Sequence, residues 1–360
     1  MDRVLIRASI SEQLTRPLWG TSVRAEDRLW LDKNENIDSD LSQVIRDVVQ
    51  GLPSYAFSTY PEMGVLYDKL SNFLGVPANF LLVSAGSDGV IRSAFEAFVD
   101  PGDVVLYAGP TFAMYEVYCK IYGAVELVQE YTASQDGPLL DMGAFLSLVR
   151  THRPKMVCLP NPNSPTGTVI SDAEMKRLLD CTRDSGSLLM IDEAYYPFYE
   201  NTVLQYVNDY DNLLVIRSTG KAWGMAGFRI GYGVADAKVA EALHKVRPMY
   251  EANTVGVMVL GEMIDRYDEV LKSVDRLNQA KKAFLSFADR HDFKWFPTYG
   301  NFVHINLGPR GDKIDAALQT CVYYRRAINH PSLLGYSRFS LAPTVEMERI
   351  MKVIEGELND

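Results

Sequence analysis

The sequence predicts an α/β protein: a large domain built on a mostly parallel sheet, followed by a small α+β domain. Three observations lead there. Between about residues 45 and 245, short apolar runs alternate with longer helical patterns, and buried runs separated by helices mean parallel strands. Each run ends in a polar or Gly/Pro-rich loop, as in "NFLLVSAGSDG", "DVVLYAGPTF", "MVCLPNPNSPTG", "SLLMIDEAYYPF" and "NLLVIRSTGK". The 360 residues also exceed the size at which one core usually splits, so two unequal domains are expected.

In chain order, residues 1 to 44 have too little periodicity to stand alone and are expected as an arm lying against the small domain or a partner subunit. Residues 45 to 248 form the large domain. There Phe80 to Val83 read as a strand before a small-residue turn, and Val90 to Phe98 as the helix after it. From about 255 to 290 the pattern is long amphipathic helix, with Leu271, Val274 and Leu277 at helical spacing. "NFVHINL", "VYYRRA" and "YSRFSLAP" read as short strands, so residues 249 to 360 make the small domain. No internal repeat or low-complexity linker interrupts the chain.

Composition narrows the function classes. Hydrophobic residues make up 47% and charged residues 23%, as in ordinary globular proteins. The net charge of -10 and the lack of a Lys/Arg-rich run argue against nucleic-acid or anionic-membrane partners. Cys119, Cys158, Cys181 and Cys321 show no metal-ligand spacing and are expected as free thiols. The first twenty residues lack a signal-peptide pattern, and no apolar stretch is long enough to span a membrane, so the expectation is a soluble cytoplasmic protein.

The segment "STGKAWGMAGFRIGYG" poses the central question, the role of Lys221. A phosphate-cradling P-loop would need glycine at 215 and Ser or Thr at 222, where Val215 and Ala222 stand. A surface charge is the default for any lone lysine. Against it, the apolar run Leu213 to Ile216 precedes Lys221, and Ala222, Trp223, Met225 and Phe228 follow.

Open α/β sheets bind ligands at the carboxyl ends of their strands, so the loops above fall on one edge. "MIDEAY" ends a strand with Asp192 and Tyr195, which would otherwise be a helix cap and a half-buried ring. An aspartate there would hold a heterocycle's ring nitrogen protonated, and the tyrosine hydroxyl would reach a ring oxygen. In "SAGSDG", Ser87 and Asp88 open a helix whose N–H groups would face a phosphate, a weak signal alone. "NPNSPTG" is turn punctuation or a donor to the same ring oxygen. A lysine amine in an apolar site condenses with carbonyls. Pyridoxal phosphate requires that lysine, an acidic partner for its ring nitrogen and a phosphate cup. Finding all of these, with Arg229 eight residues beyond the lysine, makes the set specific.

The ordered motifs "GSDG", "PTFAMY", "NPNSPTG", "DEAYYPF" and "GKAWGMAGFRIGY" resemble the class I/II aminotransferases of PLP fold type I, and within them the histidinol-phosphate aminotransferase branch. "LDKNEN" and "YPEMGVLYDKLSNFLGV" resemble the same branch. The resemblance is clear over residues 30 to 250 and looser beyond. It implies a seven-stranded, mostly parallel sheet and pyridoxal 5'-phosphate as cofactor. By position it implies Lys221 as the covalent lysine and proton shuttle, Asp192 at the ring nitrogen, Tyr195 at the 3-hydroxyl and Phe112 stacked on the ring. Ser87, Asp88, Ser218 and Arg229 would hold the phosphate, helped by Tyr60 of a neighbouring subunit, hence a homodimer with shared sites. Arg338 would take the substrate's anionic group, with Asn34, Tyr250 and Arg326 also on the substrate side.

Three positions depart from the family pattern. Gly220 stands where a hydroxyl is frequent. Ser164 replaces the asparagine before Pro-Thr-Gly, so either Ser164 or Asn163 serves the 3-hydroxyl, and Asn163 is the expected cofactor residue of the two. Gly89 replaces an acidic residue. "VYYRRAINHPSLLGYSRFS" adds Arg325, Arg326 and His330, either a solvated basic face or an anion pocket.

The function these readings imply is amino transfer between an amino acid such as glutamate and a small, phosphorylated oxo compound. Decarboxylation of phosphothreonine or phosphoserine is the alternative, since such decarboxylases share these motifs. A ligand-sensing transcription factor would carry a helix-turn-helix domain, for which residues 1 to 44 are too short and insufficiently basic. A dead scaffold would be expected to have lost Lys221 or Asp192.

Overall fold

The computed structural model describes residues 6, 7, 10 and 23–359. Residues 1–5, 8, 9 and 11–22, which include most of the first twenty residues of the expected arm, lie outside the described residues. The strand β1 (Leu29–Trp30) leads to α1 (Ser39–Gln50), which Asp38 starts by accepting a hydrogen bond from Asp40 N. Leu41, Ile45 and Val48 recur along one face of α1 and are buried, the pattern of a helix packed on a core. The helix α2 (Gly64–Leu74) ends on Gly75 at φ 67°, a left-handed cap that glycine adopts without strain.

The large sheet is then laid down in strand and helix alternation. β2 (Leu81–Ser84) is followed by α3 (Ser87–Phe98), β3 (Val104–Gly109) by α4 (Met114–Tyr122), and β4 (Val125–Glu130) by the small hairpin β5 (Thr132–Ser134) and β6 (Gly137–Leu139). After α5 (Met142–His152) come β7 (Met156–Pro160), α6 (Asp172–Ser185), β8 (Leu188–Asp192), β9 (Leu213–Ser218), β10 (Gly231–Ala235) and α7 (Ala237–Val246). The spatial order is β2-β10-β9-β8-β7-β3-β4, with β10 antiparallel to both neighbours and the other pairings parallel.

Alternate residues of each strand feed opposite layers, as a period of two requires. Leu189, Ile191, Leu213 and Val215 join one core with α1, α2, α5, α6 and the helix α8 (Thr254–Ile264). Leu188, Met190, Leu214 and Ile216 join the other with α3, α4 and α7. Each fully buried side chain of this kind contributes about 1.5–3 kcal/mol.

Two expectations shift. The amphipathic stretch from 255 to 290 is two helices, α8 and α9 (Tyr267–Arg290), separated by Asp265 and Arg266. Moreover α8 packs on α1 and α2, and Val270 and Val274 of α9 still belong to the large core, whereas Leu277, Phe284 and Phe287 belong to the small one. The cores therefore divide within α9, not at residue 248. The reason is the all-round apolar character of α8, "TVGVMVLGEMI", which needs burial on more than one side.

The small core gathers β11 (Lys294–Trp295), β12 (Phe302–Asn306), α10 (Gly311–Leu318), β13 (Val322–Tyr323), β14 (Ser337–Ser340) and α11 (Thr344–Asn359). β1 pairs with β13 and Leu31 is fully buried in this core, so the arm docks on the small domain up to about residue 37. From Asp38 onward it joins the large one: Asp38 is held by Arg276 of α9 at 2.5 Å, while Leu41 enters the large core. Cys119, Cys158 and Cys181 are buried free thiols, and Cys321 is half-buried. Among the described residues no helix is long and apolar enough to cross a membrane.

Candidate active site

A cavity of about 550 Å³ opens at the carboxyl ends of β7, β8 and β9, where the unusual loops were expected. Its wall includes Asp192 at the last position of β8, Ser218 at the last of β9 and Lys221 just beyond. Lys221 Nζ donates to the carbonyl of Lys33 at 2.8 Å and lies 6.0 Å from the Tyr195 ring centre. Ala222 and Met225 are fully buried and Trp223 nearly so, and they fix the backbone on which the half-buried lysine stands.

Asp192 is buried, accepting one hydrogen bond, from Ala194 N at 3.0 Å. Burial pushes its carboxyl up to about 7; Glu193 and Asp88 add to the rise, while Lys221 and the Ala194 hydrogen bond oppose it. A buried carboxylate of this kind fits a cationic N–H in the cavity, which would restore its charged form. Tyr115 beside it is wholly buried, and its phenol is raised well above the ordinary value, by burial first and then by Asp192.

Tyr195 accepts a hydrogen bond from Asn34 Nδ2 at 2.8 Å, so its own hydroxyl proton is free to point elsewhere. Asn34 sits at φ 56° and is fixed by Ser340 Oγ, which accepts from its N–H at 2.9 Å. Thus Asn34, expected on the substrate side, lines the cavity but spends its amide on Tyr195.

The phosphate end is equally constrained. Gly86, at φ 83°, caps α3, and a Cβ there would lie 2.9 Å from the Arg229 guanidinium. Gly231 of β10 passes so close that a Cβ would lie 2.4 Å from Ser87 N. Ser87 N, the start of α3, Ser218 and Arg229 therefore converge on a cradle with the helix dipole's positive end toward it. Asp88 is in the first turn of α3 but does not line the cavity, and it acts on the Tyr118 phenol instead, raising it with burial. Phe112 lines the cavity and meets Tyr115 edge-on at 5.9 Å.

Besides Asp88, and Arg229, which reaches the cradle behind Gly86 without forming the cavity wall, four more expected residues are not brought to this cavity. Asn163 is buried with both ends of its amide engaged: Nδ2 donates to Pro110 O at 3.0 Å and Thr166 Oγ1 at 2.8 Å, and Oδ1 accepts from Thr111 Oγ1. Ser164 faces the cavity instead, because Asn163 is consumed in closing its own loop. Arg326 pairs with Asp315 at 3.1 Å and with Asp312, which turns it outward, while its neighbour Arg325 lines the cavity. Tyr60 and Tyr250 stack on each other at 3.9 Å, away from the cavity of their own chain. Both are exposed, at 69% and 51%.

The sequence reading missed Thr111, Ala327 and Ile328 of the cavity wall, as well as Asp32. The Asp32 carbonyl accepts from Arg338 Nη2 at 2.9 Å and Arg325 Nε at 3.2 Å. Arg338 is buried, which pulls its pKa below the ordinary arginine value, and its guanidinium lies 5.4 Å from the Phe302 ring centre. The backbones of Arg325 and Arg338 bridge in antiparallel fashion, bringing two guanidinium groups to one wall. A backbone carbonyl shared by two arginines gives no sequence signal.

A cavity lysine, a buried strand-end carboxylate with a raised pKa and a glycine-and-arginine cradle, on this sheet order, define a pyridoxal-phosphate enzyme of fold type I. The chain belongs to the aminotransferase class I and II family, whose model matches residues 26–356. It is 34% identical over 258 residues to the histidinol-phosphate aminotransferase of Thermoanaerobacter pseudethanolicus, covering 69% of this chain and 72% of that protein. The enzyme of the same name from Caldanaerobacter subterraneus is 30% identical over 87% of this chain and 88% of its own. In structure, the chain resembles the histidinol-phosphate aminotransferase of Sinorhizobium meliloti in complex with pyridoxal-5'-phosphate, with a TM-score of 0.81 at 19% identity over 99% and 98% of the two chains. A mutant aspartate aminotransferase of Thermus thermophilus gives a TM-score of 0.75 at 19% identity over 92% of each chain. The protein is thus a pyridoxal-phosphate-dependent aminotransferase.

Proposed function

We propose that this aminotransferase moves an amino group between a dicarboxylic amino acid such as glutamate and a small phosphorylated oxo compound, with histidinol phosphate as the first candidate on the amine side. The observation that carries this reading is the arginine pair, Arg338 buried and Arg325 exposed at the mouth, both bonded to the Asp32 carbonyl. Such a wall suits a carboxylate or phosphate of either substrate, bound by charge-assisted hydrogen bonds. Support also comes from the names of the relatives above.

When bound, pyridoxal phosphate supplies a reactive aldehyde and an electron-withdrawing ring. Lys221 Nζ, in the cavity wall, would hold that aldehyde and, when free, would take or return the proton at the substrate's Cα. Asp192 holds a proton at the ring nitrogen by its charge. Tyr195 and Ser164 would serve as donors to the cofactor's 3-hydroxyl oxygen, and Phe112 would supply an apolar face to its ring. Ser87 N, Ser218 and Arg229 would hold the phosphate, with Asp88 and Asn163 behind the wall.

The working unit in this reading is a homodimer. Tyr55, Phe57, Tyr60, Val65, Met249 and Tyr250 are exposed on one chain. Several of them line a second groove of about 690 Å³ between α1, α2 and α8, which has no catalytic constellation of its own. A second copy covering this face would bury that apolar area and bring its Tyr60 toward the phosphate cradle. Sedimentation as a dimer, with loss of cofactor affinity in Tyr60→Ala, is the expected result; a fully active monomer would refute it.

The substrate reading is tested on the holoenzyme. L-glutamate alone should bleach the cofactor's visible band, and 2-oxoglutarate should restore it. Turnover of histidinol phosphate is then compared with that of smaller phosphorylated amines. A band unaffected by glutamate, together with carbon dioxide released from phosphothreonine, would sink the proposal in favour of decarboxylation.

A further inference from the structure

His304 is a wholly buried titratable side chain that the chemistry above leaves unused. It lies on β12, wholly buried, and Nε2 contacts the carbonyl of Pro165 at 2.7 Å. A carbonyl can only accept, so Nε2 carries the hydrogen. Nδ1 has no hydrogen-bond partner among the described residues. Burial, assisted by the Arg338 charge, holds the imidazole down to about 4, which leaves the ring neutral.

Two neighbours give this one contact its meaning. Pro165 directly follows Ser164, the loop residue that faces the cavity. A proline has no backbone N–H, so its carbonyl is its one main-chain polar group, and here a side chain from the small domain satisfies it. On the other side, His304 lies directly opposite Arg338 in the β12–β14 register. Between them stands Phe302, whose ring meets His304 edge-on at 5.7 Å, meets Tyr195 at 5.5 Å and lies beneath the Arg338 guanidinium. Phe296 stacks on the far face of the imidazole at 5.0 Å, so the ring cannot turn away.

The same loop is gripped twice more from the small domain. Tyr299 N donates to Gly167 O at 2.8 Å, and Gly167, at φ 77°, packs against Thr298 so closely that a Cβ would lie 2.7 Å away. Among the described residues of the small domain, only His304 brings a side-chain donor to the Ser164 end of the loop.

We propose that His304 is a positioning residue that fixes the Ser164 loop to β12, the strand paired with the one carrying Arg338, so that the cofactor wall and the substrate arginine keep one spacing. The proposal rests on the roles given above to Ser164 and Arg338. Removing the donor frees the Pro165 carbonyl to shift, and Ser164 shifts with it. Cofactor grip then weakens even though His304 touches neither cofactor nor substrate.

The test uses His304→Leu and His304→Met, which lack a donor, and His304→Gln, which keeps one, all as full-length protein with cooperative melting. Two donor-less variants guard against one of them failing to fold. Cofactor dissociation constants come from titration of the visible band. The donor-less variants should bind the cofactor roughly three- to tenfold more weakly, and His304→Gln should recover part of the loss. In the Ser164→Ala background the same change should add little, since both act at one point. Equal affinity in wild type and donor-less variants, or fully additive losses in the double variant, would overturn the proposal. Should Ser164→Ala alone leave affinity unchanged, the serine role fails, and the crystal structure of a donor-less variant decides His304 separately: residues 164 and 165 displaced supports it, unmoved overturns it.

Discussion

The amide of Asn34 donates to the phenol oxygen of Tyr195 at 2.8 Å, across 161 residues of chain. That contact ties the arm to the end of β8 and dictates where the Tyr195 proton points. Asn34→Gly is the informative substitution, because Asn34 occupies φ 56°, where an alanine would add backbone strain. Loss of the amide should lower kcat by roughly tenfold while the protein stays folded, as one lost hydrogen bond implies. Steady-state kinetics beside a thermal melt would check it, and unchanged kcat would separate Asn34 from the chemistry.

Asp192 links the site to pH. Its carboxyl is raised from 3.8 to about 7, so in the cofactor-free fold it keeps a proton that the unfolded chain has already released. This contribution to stability is full below about 4 and is lost as pH rises through 7. The loss is on the order of 4 kcal/mol at most. Cofactor-free Asp192→Asn should accordingly be more stable than wild type at pH 8 and no more stable at pH 4, read by urea unfolding. The same variant should lose turnover, because a neutral amide cannot hold the ring nitrogen protonated.

Lys221→Ala should lower turnover roughly 10²–10⁴-fold, the range for removing a positioned proton-transfer group. The Lys33 carbonyl would lose its donor at the surface of the cavity, where water replaces it, so stability should barely change. Retained full turnover would mean the lysine is not the covalent residue.

Arg325 and Arg326 are neighbours with different fates. Arg325→Ala should raise KM for the anionic substrate roughly tenfold, since a charge-assisted contact is lost at an exposed mouth. Arg326→Ala breaks pairs with Asp312 and Asp315 and should leave KM as it is. Equal effects of the two would contradict the wall described here.

Gly231→Ala should weaken cofactor binding, because its Cβ would press on Ser87 N and the carbonyl of Arg217 at once. Overpacking of this kind typically costs about 1–3 kcal/mol. Cofactor titration and a melt of the same sample would show both effects, and a silent substitution would mean that the cradle yields.

Much of this protein was legible from its sequence. The apolar runs ending at Val83, Ile191 and Ile216 read as buried strands because parallel strands covered on both faces carry apolar residues in succession. Parallel strands put their following loops on one edge, which brings Asp192, Ser218 and Lys221 together.

What only the tertiary structure decided is which of two adjacent residues faces the cavity. From sequence, Asn163 is preferred to Ser164 and Arg326 to Arg325, and in both pairs the neighbour lines the cavity instead. Asn163 turns inward because Pro110, Thr111 and Thr166 exhaust its amide, and Arg326 turns outward because Asp312 and Asp315 lie on that side. The division of the chain within α9 and the grip of His304 on Pro165 are of the same kind. Local sequence sets strand and helix through periodicities of a few residues. The direction of a polar side chain in a loop is set by partners tens to hundreds of residues away, and it exists only after the domains have packed.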